Sequence, residues 1–240
     1  MVDMIYKRKS VRSYREICAD KAAIEKINEF ISGLKPLYPD IKVRADIVDK
    51  SKVKCILPWI TPQLIAVYSE QKPGMYENAG FMFQQLDLYL QSIGMGVCWL
   101  GMGKMNNKDI KGSEQDNLKF VILLAFGYPH DDPPRSSTSE FRRKALSEIC
   151  DIPNPKLEPA RLAPSSVNSQ PWYFTHENNV IHAYRSNGGL INTMLGDMNR
   201  IDMGIALAHM YVANPDTFCF FKSQNAKNIK GYKYTGSFTI

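Results

Sequence analysis

The sequence predicts an α+β protein, and three observations carry that reading: stretches with apolar residues at helical spacing, short runs with strand alternation between them, and a second pass through the same order of elements in the later half of the chain. The first helix is expected over Ala19 to Leu34, where Ala23, Ile24, Ile27, Phe30, Ile31 and Leu34 recur three or four apart, Asp20 is placed to cap the start, and Gly33 and Pro36 close the end. Ile41 to Ile47 alternates apolar with charged residues, as a half-buried strand does, and Gln63 to Tyr68 reads as a second strand. Gly80 to Ile93 is apolar on nearly every side, which predicts a helix in the centre of the molecule. After the glycines at 94 and 96 come a short strand, Val97 to Leu100, and then "FVILLAF", Phe120 to Phe126, a strand buried on both faces.

The segment "HDDPPRSSTS" that follows has the composition of a linker, and beyond it the order returns. Strands are expected at Tyr173 to Thr175 and Val180 to Tyr184, and a second apolar helix over Met203 to Ala213 with Ile201, Ile205, Ala208 and Val212 on one stripe. "TFCFF" follows as a strand. Gly204 stands at the start of the second apolar helix as Gly80 does in the first, and Cys219 follows it as Cys98 follows its own. A duplicated half-domain, residues 1–130 and 131–240, is the repeat architecture this order suggests.

The chain has 240 residues, 44 % of them apolar, which is ample for a core, and a net charge of +6. The positive residues gather in two places, Lys7, Arg8, Lys9, Arg12 and Arg15, then Arg142, Arg143 and Lys144. Neither place is interleaved with stacking aromatics, and neither continues as a basic helix, so a small anion fits better than nucleic acid. The five cysteines show no CxxC and no repeated spacing, which excludes a legible disulfide framework or zinc site. The longest apolar run, seven residues, falls far short of the ~20 that span a bilayer. A reducing, cytoplasmic setting with no membrane partner is the expectation.

Three stretches carry a family likeness. "RKSVRSY" (Arg8 to Tyr14), "GMGVCWLGM" (Gly94 to Met102) with "AFGYP" after it, and "APSSVNSQPW" (Ala163 to Trp172) together resemble the FMN-dependent nitroreductase family. The motif order departs from the usual one. The serine-asparagine motif normally follows the arginine motif by about one helix; here "LKPLYP", Leu34 to Pro39, holds that place without serine or asparagine, and the motif comes after "FRRKALSEI" instead. The resemblance is therefore to a tandem, single-chain subgroup, in which two half-degenerate subunits are fused.

That resemblance implies a nitroreductase-like fold of two half-domains related by a pseudo-twofold, each a mainly antiparallel sheet packed with helices. It implies FMN as cofactor, NADH or NADPH as reductant, and ping-pong hydride transfer to a nitroaromatic, quinone or similar small acceptor, with no side chain needed as catalytic base. Carried over by position, Arg8, Lys9, Ser10 and Arg12 would hold the ribityl phosphate together with Arg142 and Arg143, since guanidinium forks suit phosphate oxygens. Leu100 and Gly101 would approach the flavin through their backbone. Pro164, Ser165, Ser166 and Asn168 would present hydroxyls, an amide and backbone groups to its hydrogen-bonding edge, with Trp172 anchoring the loop. One arginine motif and one serine-asparagine motif leave material for a single complete site per chain, either monomeric or shared in a homodimer. A flavin-binding protein with little turnover, for storage or sensing, and a basic nucleic-acid-binding module are the alternatives from other classes.

Overall fold

A computed structural model of the chain describes residues 1–55, 61–106, 117–187 and 196–240. Ten strands are defined: β1 (Val43–Asp49), β2 (Val53–Lys54), β3 (Gln63–Glu70), β4 (Gly96–Leu100), β5 (Lys104–Met105), β6 (Leu118–Gly127), β7 (Trp172–Glu177), β8 (Val180–Ser186), β9 (Cys219–Phe221) and β10 (Tyr232–Thr239). The helices are α1 (Val2–Ile5), α2 (Lys21–Ser32), α3 (Met75–Ser92), α4 (Leu146–Ile149), α5 (Glu158–Leu162) and α6 (Met198–Ala213).

The strands form two four-stranded antiparallel sheets, β1-β3-β6-β4 and β7-β8-β10-β9, with β2 and β5 paired separately. Both large sheets have one connectivity. In each, two strands pair as neighbours, a long helix follows, and the next strand goes to the far edge while the last returns between. α3 fills the helix position in the first sheet and α6 in the second.

Local sequence explains these elements. Asp20 caps α2 by accepting from the Ala23 N–H at 2.8 Å, as expected for a short acceptor at that position. β6 is buried on both faces because its alternate residues serve two clusters: Ile122, Leu124 and Phe126 join the main core, and Leu123 and Ala125 a smaller one with Leu64, Ala66 and Leu100. α3 and α6 are buried almost all round and cross at glycines. A Cβ on Gly80 would lie 2.1 Å from the carbonyl oxygen of Ile201, and one on Gly204 would lie 2.0 Å from that of Glu77. The contact is reciprocal, each glycine meeting the backbone three residues before the other.

Several elements exceed their expected bounds. α3 begins at Met75, five residues before Gly80, because the polar Glu77 and Asn78 of its first turns are buried with partners and so break the apolar pattern. α6 likewise starts at Met198, before Met203, and β1 runs two residues later than the expected strand. β10 lies beyond the last element expected from sequence. A register shift between Tyr234 and Gly236 interrupts its alternation and hides it.

Candidate functional site

The basic segment at the N-terminus runs beside the edge strand of the first sheet. Ser10 bridges Val97 of β4 and the Val11 N–H donates to the Val97 carbonyl at 3.0 Å, which fixes where Arg8, Lys9 and Arg12 stand. Across from it is the loop after α5. That loop has an unusual backbone: Val167, Asn168 and Gln170 all have positive φ, at 46°, 57° and 48°. For a β-branched residue such as Val167, 77 % exposed, this conformation is an outlier that the surroundings must enforce.

The enforcement is visible. Asp202 of α6 accepts the Ser166 N–H with both carboxylate oxygens, at 3.0 and 3.1 Å. The Ser165 hydroxyl accepts from the Gln170 N–H at 2.8 Å, and the Gln170 side chain accepts from the Lys144 N–H at 2.7 Å. The Asn168 amide is held at both ends, accepting from Arg143 Nη1 at 2.6 Å and donating to the Arg142 carbonyl at 2.8 Å. Trp172, at the start of β7, is buried below the loop.

Between the basic segment and this loop lies a cavity of about 790 Å³, within the range of small-molecule sites. Of the residues expected from sequence, Arg8, Lys9, Ser10, Arg12, Arg142, Arg143, Pro164, Ser165 and Asn168 line it. Leu100, Gly101 and Ser166 lie outside its wall. Leu100 is buried in the smaller core, Gly101 faces Met198, and Ser166 is turned to Asp202. Ser13, Asp131, Asp132, Arg135, Glu140 and Val167 also line the cavity and were not anticipated. Three of these six, with Glu140 just beyond, come from residues 130–139, the stretch that resembles a linker. It is instead bound down over the basic segment, with Arg135 N–H to the Lys7 carbonyl at 2.8 Å, the Arg135 guanidinium to the Arg8 carbonyl, and Lys9 paired with Asp132. The arginine after two prolines was the available signal.

Six cationic and three acidic side chains face the cavity, and the guanidiniums are crowded. Burial, then the charges of Arg8, Arg135 and Arg161, pull Arg143 down to about 10; burial and Arg8 also lower Arg135. Arg143 therefore stays protonated at neutral pH at an electrostatic cost that an anion would relieve. Arg135 and Arg143 rest over the Phe141 ring, at 4.1 and 5.5 Å, which holds both heads near the cavity. Arg8 is different. It is 1 % exposed and paired with the buried Asp87 of α3, through Nε at 3.3 Å and Nη2 at 3.2 Å, while Gln91 bonds both Asp87 and the Lys9 N–H. Burial raises the Asp87 carboxyl and the Arg8 charge draws it back. Arg8 is thus first a buried ion pair and only then a wall of the cavity.

A second buried chain of bonds crosses the core nearby. Trp99 Nε1 donates to Gln84 Oε1 at 3.2 Å, the Gln84 amide lies 3.1 Å from His209 Nε2, and His209 Nδ1 lies 2.9 Å from the Pro159 carbonyl. Burial, then Arg8, depresses His209 to about 3, so it is neutral, with Nδ1–H donating to Pro159 and Nε2 accepting from Gln84. Among the described residues no group of three or more metal-ligating side chains occurs, and no helix is long and apolar enough to cross a membrane.

The comparisons agree with this architecture. The sequence profile of a family described as "Putative TM nitroreductase" matches residues 1–214. The chain belongs to this nitroreductase family. Family membership places it among the oxidoreductases. A Thermotoga maritima protein described as a "putative nitroreductase" superposes with a TM-score of 0.66 at 19 % identity, covering 99 % of this chain and 91 % of that one, so the fold is nitroreductase-like. A nitroreductase family protein from Clostridium difficile 630 aligns with 62 % of this chain and 95 % of its own at 20 % identity and a TM-score of 0.49. An FMN-dependent nitroreductase from Clostridium difficile R20291 aligns with 59 % of this chain and 95 % of its own at 16 % identity and a TM-score of 0.45. No curated protein sequence matches the chain.

Proposed function

We propose that the chain is an FMN-dependent NAD(P)H oxidoreductase of nitroreductase type, with its cofactor in the cavity between the basic segment and the 164–168 loop. One observation carries the reading: the arginine motif and the serine-asparagine motif, far apart in sequence, line opposite walls of one cavity that is rich in guanidinium groups. The donor set fits an FMN phosphate at one end, where Arg12, Arg135, Arg142 and Arg143 supply charge-assisted donors. When bound, FMN supplies a ring that takes hydride from a reduced nicotinamide in one half-reaction and delivers it to a small acceptor such as a nitroaromatic or quinone in the next.

The chain's own part is to bind, orient and exclude water. Arg143 would meet the phosphate, and Asn168, which accepts from its guanidinium, would act through the arginine. Ser165 and Gln170 set the loop's backbone, and Val167 presents an apolar face at the mouth. Arg8 with Asp87 supports the floor. We also place both walls within one chain, so that the site needs no second copy.

The test is an absorbance spectrum with and without FMN, followed by NADH and then NADPH. Flavin bands that bleach on addition of either nucleotide support an enzyme; bands that persist in the presence of both would leave a flavin carrier, and failure to quench FMN fluorescence would sink the reading. Arg12→Ala or Arg135→Ala should weaken FMN about ten- to a hundredfold, the worth of one charge-assisted contact of ~1.5–3 kcal/mol, and leave riboflavin nearly unaffected. Mixing Arg12→Ala with Asn168→Ala chains should restore nothing; recovered binding would mean that two chains share the site.

A further inference from the structure

The shared connectivity of the two sheets and the reciprocal glycine contact make the residues of α3 from Met75 to Tyr89 correspond to residues of α6 numbered 124 higher, Gly80 with Gly204 and Asn78 with Asp202. The loops obey the same correspondence. Asp202 holds the cavity's loop through the Ser166 N–H, and Asn78 Oδ1 accepts from the Leu37 and Tyr38 N–H groups at 2.8 and 3.0 Å. The "LKPLYP" stretch is thus held from the first helix as "LAPSSV" is from the second. The edge strands correspond too. Val97 of β4 pairs with Phe126 and Phe220 of β9 pairs with Phe238, each as the second residue of its strand. The cavity lies between the segment beside Val97 and the loop held by Asp202. Its counterpart would lie between Phe220 and the loop held by Asn78.

That counterpart is full. Tyr38 sets its ring edge-on to Phe220 with centroids 5.6 Å apart. The Lys222 ammonium lies 5.6 Å from the Tyr38 ring, 5.8 Å from that of Phe220 and 5.7 Å from that of Tyr234, and donates to the Thr235 carbonyl. Two glycines let these half-buried rings approach the backbone closely. A Cβ on Gly74, at φ +98°, would lie 2.8 Å from the Tyr38 ring, and one on Gly236 would lie 2.2 Å from that of Phe220. Desolvation beside the rings lowers the Lys222 ammonium, while the residue as a whole stays exposed.

We propose that the place equivalent to the cavity is a second cofactor site sealed by the chain's own side chains, with Tyr38 from one half plugging against Phe220 and Lys222 from the other. The chain then takes one cofactor, without cooperativity between sites, and the plug fastens the two halves where a second ligand would otherwise sit. The stoichiometric part rests on the cofactor reading above; the plug does not.

Two measurements separate them. Titrating the purified full chain with FMN, followed by fluorescence quenching and calorimetry, should give a hyperbolic curve saturating at one equivalent per chain; two equivalents would overturn the proposal. Urea denaturation of Tyr38→Leu, Phe220→Leu and the double variant, without flavin, tests the plug directly. The double variant's midpoint should fall by clearly less than the sum of the two single shifts, because either substitution alone already opens the plug. Strictly additive shifts would overturn the plug even if one FMN binds. If no FMN binds at all, the cofactor reading fails, and a non-additive cycle still upholds the plug.

Discussion

Residues 34–39 and 162–167 are held by corresponding positions of the two long helices, yet they take different courses. In the first loop Asn78 offers one neutral oxygen to two N–H groups, no residue from 34 to 39 has positive φ, and Tyr38 points into the interior against Gly74. In the second loop the Asp202 carboxyl group spends both oxygens on one N–H. The chain then turns left-handed at Val167, Asn168 and Gln170, and the side chains reach sideways to Arg143 and Gln170. The helix anchor is common to both loops. What distinguishes a cavity from a filled core here is the three or four residues after the anchor, with the aromatic ring of one loop replaced by serine in the other.

The largest effect expected is at a position where the halves differ outright. Asp87 on α3 carries the buried pair with Arg8, and its counterpart on α6 is Tyr211, which packs against Phe81 and Phe218. Asp87→Ala strands a buried guanidinium and should cost about 3–5 kcal/mol in urea denaturation. Asp87→Ala with Arg8→Met should recover much of it. No recovery would mean that the loss is one of packing and not of charge.

The glycine crossing tests the comparison where the halves agree. Gly80→Ala and Gly204→Ala each place a methyl group into a carbonyl of the facing helix, at 2.1 and 2.0 Å, so neither can be relieved by a side-chain rotation. Each should cost about 3 kcal/mol, the upper end of ordinary overpacking. Losses of similar size are required if the two contacts are equivalent; a variant that melts like the parent would break the correspondence.

Asp202 and Asn78 separate by pH. Burial raises Asp202 from 3.8 to about 8, with the Ser166 N–H opposing. Between those values the folded state binds the extra proton, so this group's contribution to stability falls as pH rises from about 4 to about 8 and is flat above. Asp202→Asn removes that slope and keeps one acceptor for Ser166. The variant should therefore overtake the parent by more than about 1 kcal/mol at pH 8, one pKa unit's worth, and lose the advantage near pH 4. Asn78→Ala has no titrating group to lose and should cost about 1–3 kcal/mol at every pH. An unchanged pH slope in Asp202→Asn would place the titration elsewhere.

How far the sequence reveals this arrangement depends on the kind of signal. α2, β6 and the strand after each long helix are legible because their apolar periodicity and caps are local. β10 is not, because its bulge at Gly236 shifts the alternation midway. The stretch 130–139 resembles a linker by composition because polar residues such as Asp131, Asp132 and Arg135 face a cavity, and only the fold shows what they face. In the site, the motifs bring nine expected residues to the cavity, but Asp87, Asp202 and Asn78 act from inside apolar helices over separations of 36 to 79 residues. No spacing rule reaches that far. The motif also leaves hidden that Asn168 is spent on Arg142 and Arg143.

The smallest effect belongs to Val167, where the second loop departs most sharply from the first. Its φ of 46° and ψ of 23° lie in the left-handed region, which costs an ordinary L-residue about 1–2 kcal/mol, and its exposed side chain recovers little by packing. Glycine would remove that strain but would lose about 0.5–1 kcal/mol more chain entropy on folding. The two nearly cancel, so Val167→Gly should raise stability by no more than about 1 kcal/mol in a thermal melt. Proline, the residue at position 39 in the first loop, sharpens the contrast, because its φ is fixed near −65° and the left-handed turn is closed to it. Val167→Pro should release Asn168 and Arg143 from each other and weaken FMN, whereas Val167→Gly should bind FMN within a fewfold of the parent. Equal FMN affinity in all three proteins would show that the left-handed turn has no part in shaping the cavity.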